Sequence, residues 1–344
     1  MTALKASPEN LDVIILAASQ GTRMKSAKIE ILHAAAGRPI IEYVLDLAAE
    51  ICSRPPIMVV GRQREEVQQV VGGRARYAVQ EVQKGTGHAV LQAAPLLDRA
   101  RHVLILSGDV PLTRPETLQR LLDEHEQSQN ALTLLTMKLG DPAMYGRIVR
   151  DSGGAVARIV EAKDASEDEK LINEVNAGIY VFDGRYLFDN LRNLSTNNEQ
   201  GEYYLTDLLG VLRSAGKRVG AVVSDPIEAL GVNSRADLAS VEAEIQRRVV
   251  AALMSDGVTF RNPATVVIDS TVKIGNDTVV YPFVTIEGKT TIGSRCVIEP
   301  GVHLVDVQVG DDVHLKTGTV AEDAVIANEA TVGPYAHLRP GSRL

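Results

Sequence analysis

The residues best placed to do chemistry follow apolar runs. Leu16-Ala17-Ala18-Ser19-Gln20-Gly21-Thr22-Arg23-Met24 continues the run at 13–18. A strand, a turn of small residues and a helix start bearing a cation would present free backbone N–H groups to phosphate, and Arg23 would neutralise it. An ordinary strand-to-helix turn explains the same residues, so this segment alone is a pointer and no more. Asp109, in Gly108-Asp109-Val110-Pro111-Leu112, follows the apolar run 103–106 and is expected at a strand's carboxyl end. A hard carboxylate there suits Mg²⁺, although an aspartate in a turn needs no ligand. Asn233 taken alone is a turn asparagine, and Lys25, Lys28 and Glu30 taken alone are a charge-rich helix start.

These residues need a scaffold, and the first 230 or so positions supply one. Apolar runs at 13–18, 57–61, 103–106 and 131–137 read as buried strands. Between them Ile40, Ile41, Val44, Leu45 and Ala48 recur at helical spacing, as do Leu118, Leu121 and Leu122 after Pro115, a favoured helix-start residue. Strand–helix alternation predicts a mostly parallel sheet covered by helices on both faces, with ligands beyond the carboxyl ends of its strands. After a last strand-like segment at 219–223, residues 235–254 carry Leu238, Val241, Ile245 and Val249 on one stripe and read as a linker helix.

From Arg261 the period becomes six. Ile268, Ile274, Val280, Ile286, Ile292, Ile298 and Leu304 are consecutive aliphatics at that spacing, each preceded two positions earlier by a small or β-branched residue or a cysteine. Chance would give such a run about once in ten thousand if a quarter of residues were Ile, Leu or Val. The pattern predicts a parallel β-helix of hexapeptide repeats. A slip is expected near Val309-Gly310, with the period resuming at Val320, Ile326, Val332 and Leu338. The expected domains are therefore 1–234, a linker helix at 235–256 and a β-helix at 257–344.

Composition bounds the function. The 344 residues are 45% hydrophobic and 23% charged, and 36 Lys+Arg against 44 Asp+Glu give a net charge of −8. That balance argues against a general polyanion binder, while leaving room for a local basic phosphate site, and no nucleic-acid partner is expected. No apolar run nears the roughly 20 residues of a membrane span, and no basic-then-apolar leader is seen, so a cytoplasmic protein is expected. Cys52 and Cys296 are too far apart in sequence to suggest a disulfide framework or a metal cluster.

The phosphate-loop segment resembles the Leu-Ala-Ala-Gly-x-Gly-Thr-Arg-Met signature of sugar-1-phosphate nucleotidyltransferases. In order there follow Gln80-Glu81 with Lys84-Gly85-Thr86-Gly87-His88-Ala89, Gly108-Asp109-Val110-Pro111-Leu112, and Tyr145-Gly146-Arg147-Ile148. Ile159-Val160-Glu161, Glu174-Val175-Asn176-Ala177-Gly178, Gln200-Gly201-Glu202-Tyr203-Tyr204-Leu205-Thr206-Asp207 and Gly231-Val232-Asn233 complete the set. Ending in hexapeptide repeats, the chain is similar over nearly its whole length to the bacterial bifunctional N-acetylglucosamine-1-phosphate uridyltransferases/glucosamine-1-phosphate acetyltransferases. The resemblance implies a Rossmann-like α/β nucleotidyltransferase domain, a linker helix and a left-handed parallel β-helix that assembles as a homotrimer. It implies that UTP and N-acetylglucosamine 1-phosphate react with Mg²⁺ to give UDP-N-acetylglucosamine and pyrophosphate. Arg23 would then be a catalytic cation, with Lys28 the candidate to stand in for a family lysine that this chain lacks, and Asp109 and Asn233 the metal ligands. Leu16, Ala17, Ala18, Ser19, Gly21, Glu30, Gln80, Gly85, Thr86, Ser107, Gly108, Gly146, Glu161, Asn176 and Asn233 would meet the substrates, Gln80 at the uracil and Glu161 at the sugar hydroxyls. The Tyr203-Tyr204 pair reads as packing.

The chain departs from the family pattern in three places. Ser19 stands where the family has glycine, and its Cβ would crowd a position that needs φ > 0 or close approach. Alignment on Ile31-Leu32-His33 puts Ile29 and Glu30 where the family has a Pro-Lys pair, which reverses a charge facing phosphate. One unit charge at 4 Å is worth roughly 4 kcal/mol at an effective dielectric near 20. Lys25 or Lys28 is expected to compensate, Lys28, two residues upstream, being the better candidate. In the acetyltransferase part only Arg339, in Leu338-Arg339-Pro340-Gly341, matches, so acetyl transfer is not expected. These departures leave two rival readings: an impaired homologue acting as a nucleotide-sugar-binding or trimeric scaffold protein, and a nucleotidyltransferase for another base or sugar.

Overall fold

The computed structural model describes residues 10–19, 21–97 and 101–344, with the side chain of Thr22 left out; Gln20 of the loop segment lies outside the described residues. The chain forms two compact units. The first takes the described residues up to His33 together with Ile40–Asp237, and the second takes Ala34–Pro39 with Leu238–Leu344.

In chain order the elements are β1 (Leu11–Ala17), the short hairpin β2 (Ala34–Ala35) and β3 (Arg38–Pro39), α1 (Ile40–Ile51), β4 (Ile57–Val60), α2 (Arg64–Val71), β5 (Arg76–Val79), α3 (Thr86–Ala93) and β6 (His102–Ser107). Then come α4 (Pro115–Gln127), β7 (Leu132–Lys138), β8 (Arg147–Arg150), β9 (Val156–Val160), α5 (Glu167–Lys170), β10 (Glu174–Asp183), α6 (Gly184–Leu191), α7 (Asp207–Ser214), β11 (Val219–Val223) and α8 (Arg235–Ser255). The main sheet of the first unit runs β11-β7-β10-β6-β1-β4-β5, with the β8–β9 hairpin attached to β10. β1 lies between β4 and β6, parallel to both. A strand with neighbours on both edges and helices on both faces reads as a continuous apolar run, which is why β1 could be seen in the sequence. The expected helical stripes are also inside: Ile40, Ile41, Val44, Leu45 and Ala48 of α1, and Leu118, Leu121 and Leu122 of α4, are buried.

Along the seven-strand path the sheet is parallel except at β10, which the sequence pattern did not show, and the attached β8–β9 hairpin is antiparallel. β10 is antiparallel to both β6 and β7, and its register shifts between Asn176 and Tyr180, where Gly178 adopts φ +74°. Such a bulge re-aims side chains at a sheet's edge or beside a site.

In the second unit each coil has three sides, and like sides stack in parallel. One stack pairs Phe260, Val280, Ile298, Leu315 and Val332 in turn. A second pairs Ile268, Ile286, Leu304, Ala321 and Leu338. The third pairs Ile274, Ile292, Val309 and Ile326. This is the expected β-helix, with two corrections to its register. The shortened side runs from Leu304 to Val309, before the position expected for the slip, and a second runs from Ala321 to Ile326. Each turns through an aspartate in the left-handed region, Asp306 at φ +55° and Asp323 at φ +42°, a conformation that Asp tolerates better than most residues. Val320 was therefore one position out of register: it is 37% exposed, while Leu315 and Ala321 point inward at 0%. Within this unit, the Ile268 N–H donates to the Gln246 side chain of α8 and the Ala36 N–H to Glu242 Oε2, at 2.9 and 2.7 Å.

Candidate active site

A cleft of about 320 Å³ opens at the carboxyl ends of β1, β5 and β6. Leu16, Ala17, Ala18 and Ser19 line it from β1, Gln80 from the end of β5, Gly85 and Thr86 from the start of α3, and Ser107 and Asp109 from the end of β6. Glu30, from the single turn Glu30–Leu32, closes it. Backbone constraints explain the glycines. Gly108 passes so close to β1 that a Cβ would lie 2.9 Å from the Leu16 carbonyl oxygen. Gly85 adopts φ +96°, and a Cβ there would lie 2.6 Å from the Tyr203 carbonyl oxygen. Residues 203–205 dock on this loop: the Gly87 N–H donates to the Tyr203 carbonyl, and Thr86 Oγ1 accepts from the Leu205 N–H at 3.0 Å. Gln80 is buried, and its Nε2 donates to the Gly85 carbonyl at 3.2 Å.

A second group forms around Gly231. Asp109, at the end of β6, and Asn233, just before α8, are 124 positions apart, yet a Cβ on Gly231 would lie 3.3 Å from Asp109 Oδ2 and 3.2 Å from Asn233 Nδ2. The Val232 N–H donates to the Asp109 carbonyl at 2.8 Å. Arg23 Nη2 donates to Asn233 Oδ1 at 2.5 Å. Burial pushes the Asp109 carboxyl above its ordinary range, while a hydrogen bond from Ser107 and the charge of Arg23 pull it back. A carboxylate and an amide oxygen are hard donors, and Mg²⁺ binds through one or two protein oxygens together with waters and substrate phosphates. The residues present fit a divalent cation.

The third group is the expected sugar set. A Cβ on Gly146 would lie 3.4 Å from Glu161 Oε2, and the Asn176 N–H donates to the Gly146 carbonyl at 2.8 Å. The Asn176 amide is held on both sides: Nδ2 donates to the Tyr180 hydroxyl at 2.6 Å, and Oδ1 accepts from the Gly178 N–H. The Thr206 hydroxyl donates to Glu161 Oε1 at 2.9 Å. Burial, and then the charges of Asp164, Asp207 and Glu202, raise the Glu161 pKa.

Ser19 and Glu30 meet the rest of the loop in an unforeseen way. Ser19 keeps out of the left-handed region, which falls instead to Gly21 at φ +54°. Its hydroxyl bonds the Glu30 side chain, and its Oγ accepts from the Gly21 N–H at 3.4 Å. A Cβ on Gly21 would lie 2.2 Å from Glu30 Oε2. Glu30 is 2% exposed, and burial, with Asp109 nearby, raises its pKa. Lys28 is not brought into the cleft; it is exposed, and His33 bonds its backbone. Sequence reasoning missed Gln83, which reaches the Ala18 carbonyl, along with Thr206 and Tyr145, whose hydroxyl accepts from the Gly231 N–H at 3.2 Å. Tyr145 and Thr206 lay inside quoted motifs; Gln83 carried no signal.

Residues 13–175 match the MobA-like NTP transferase domain, and residues 271–305 match the bacterial transferase hexapeptide repeats. The chain is 44% identical over 333 residues to the bifunctional protein GlmU of Geobacillus sp. (strain WCH70), covering 96% of this chain and 72% of that one. To GlmU of Thermoanaerobacter pseudethanolicus it is 46% identical over 332 residues, with the same coverage. To GlmU of Enterococcus faecalis it is 45% identical over 334 residues, covering 96% and 73%. These relatives lend no support to the reading as an impaired scaffold, and because they are named bifunctional they do not support the expectation that acetyl transfer is absent. With this identity along nearly its whole length, the chain belongs to the GlmU family of bifunctional proteins.

Proposed function

We propose that the chain is a Mg²⁺-dependent uridyltransferase that makes UDP-N-acetylglucosamine and pyrophosphate from UTP and N-acetylglucosamine 1-phosphate, a product that feeds cell-wall precursor synthesis. An oxygen of the sugar phosphate bonds to the α-phosphorus of UTP. The bond from that phosphorus to the oxygen bridging to the β-phosphate breaks, and its electron pair leaves with pyrophosphate. The observation that carries this reading is the meeting of Asp109, Asn233 and Arg23 around Gly231, beside a cleft into which three strand ends open.

Such chemistry is mainly positioning and charge neutralisation. Asp109 and Asn233 would hold the metal ion, which when bound would draw charge from the phosphate oxygens. Arg23 neutralises the triphosphate, and the small-residue loop from Leu16 to Gly21 admits it closely. Gln80 pairs with the uracil edge while Gly85 and Thr86 let backbone approach the base. Gly146, Asn176 and Glu161 take the sugar, with Glu161 accepting from its hydroxyls. Lys28 acts only if it swings in from its exposed position. We assign nucleotidyl transfer to 1–234, the linker to 235–256 and trimer assembly to the β-helix at 257–344. The expected setting is the cytoplasm, with no nucleic-acid partner; among the described residues no helix is long and apolar enough to cross a membrane.

The test is pyrophosphate release from the two substrates with Mg²⁺. Asp109→Ala should lower turnover by about a hundredfold or more while its melting temperature stays within a few degrees of the parent. Full Mg²⁺-dependent turnover in that variant would overturn the assignment.

A further inference from the structure

At the opposite end of the main sheet lies a second cavity, of about 420 Å³. His102 opens β6 here, while Ser107 at the other end of the same strand lines the active-site cleft. The cavity is lined by four cationic residues, Arg101, Arg185, Lys217 and Arg218, against two carboxylates, Glu126 and Asp183, in a chain whose net charge is −8. Asp183 is committed: it binds the Arg185 guanidinium at 2.5 Å and accepts from the Arg185 N–H. Among the described residues, Arg101, Lys217 and Arg218 have no carboxylate partner. Arg218 donates to the Ser128 carbonyl at 3.1 Å, and Lys217 Nζ lies 4.6 Å from the centre of the Tyr186 ring.

Two buried histidines form the other wall. His125 is 1% exposed; its Nδ1 lies 3.0 Å from the Thr133 hydroxyl, and its Nε2 has no partner. His102 Nε2 lies 3.7 Å from Glu126 Oε1, and its Nδ1 has no partner. Buried polar atoms rarely go unpaired, and those that do mark a missing water, ion or ligand. Cations without carboxylate partners, lining a cavity together with two buried histidines, suit a group that is both anionic and rich in acceptor oxygens, with the cations as its donors.

We propose that this cavity is a second anion site, separate from the active-site cleft, which binds a phosphate group through Lys217 and Arg218 with His102 and His125 behind them. The phosphate could be free or carried by a small organic molecule, since both present the same dianion. β6 and β10 each run from this cavity to the substrate residues, so occupancy has a direct structural route to Asp109 and Asn176.

The experiment is calorimetric titration of the full chain, at constant ionic strength, with inorganic phosphate in one arm and glucose 6-phosphate in the other. Lys217→Ala/Arg218→Ala should weaken binding about tenfold or more, while Lys217→Arg/Arg218→Lys should restore it, which a misfolded protein would not do. Arg23→Ala, which removes the cation of the active-site cleft, should leave the affinity within about twofold of the parent. Tighter binding of the sugar phosphate would support the proposal and assign the site to a phosphorylated metabolite; equal binding would support it as a site for free phosphate. Unchanged affinity in the alanine double variant, loss of binding in Arg23→Ala, or no binding by about 10 mM would each overturn it.

Discussion

The Ser19 hydroxyl hydrogen-bonds the buried Glu30 side chain, so the two positions at which the phosphate loop departs from the resembled signature are partners. Ser19 gives Glu30 a local donor, Gly21 leaves room for its carboxylate, and Ser19 and Glu30 both line the cleft proposed to take the triphosphate. The reversed charge is thus held in the cleft and does not turn to solvent.

A carboxylate there opposes the approach of phosphate, and a lysine would attract it. Glu30→Lys is expected to raise the rate of pyrophosphate release about tenfold or more, since 1.36 kcal/mol off the barrier is tenfold. Steady-state kinetics under saturating Mg²⁺ would check this; an unchanged rate would mean that Glu30 does not face the reacting phosphates.

The pH dependence of stability follows from the same burial. Glu30 has a raised pKa in the folded chain, so the native state holds its proton more tightly than the unfolded state does. Its contribution is fully present below the unfolded carboxyl's pKa and is lost as pH rises through the raised folded value. Glu30→Gln should therefore melt higher than the parent at pH 7, by about 2–4 °C for each kcal/mol recovered, with the two curves converging at acid pH. Thermal melts across the pH range would show it.

Thr206 orients Glu161 through a 2.9 Å hydrogen bond. Thr206→Val keeps the shape and removes the donor. A hydrogen bond to a charged group is worth about 1.5–3 kcal/mol, so KM for the sugar phosphate should rise about tenfold or more while KM for UTP stays near the parent value. An equal rise in both would assign Thr206 a general structural role.

The β-helix register can be tested by paired truncations. Leu315→Ala should cost about 2–5 kcal/mol by opening a cavity, whereas Val320→Ala, at a partly exposed position, should cost less than about 1 kcal/mol. Denaturant unfolding of the two variants decides between the observed register and one with Val320 inside.

Much of this protein can be read along the chain. Fully buried parallel strands and amphipathic helices write their packing into periodicity, as β1, β6 and α4 do, and the six-residue spacing from Ile268 to Leu304 specifies the β-helix because every side must supply one inward aliphatic. Ordered motifs also pointed to Asp109, Asn233 and Arg23. β10 could not be seen, because strand direction depends on pairing partners and leaves no period in the strand itself. The one expected slip was misplaced and the second was missed, because a side shortened by one residue still supplies its inward aliphatic; aspartates at positive φ do not mark it, since the full-length sides carry them too at Asp277 and Asp312. The partnership of Ser19 with Glu30, the hold of Thr206 on Glu161 and the convergence of Asp109 with Asn233 across 124 residues are through-space facts. Tertiary structure decides them, because side-chain contact depends on where the sheet and its loops bring distant segments, and linear order does not encode that distance.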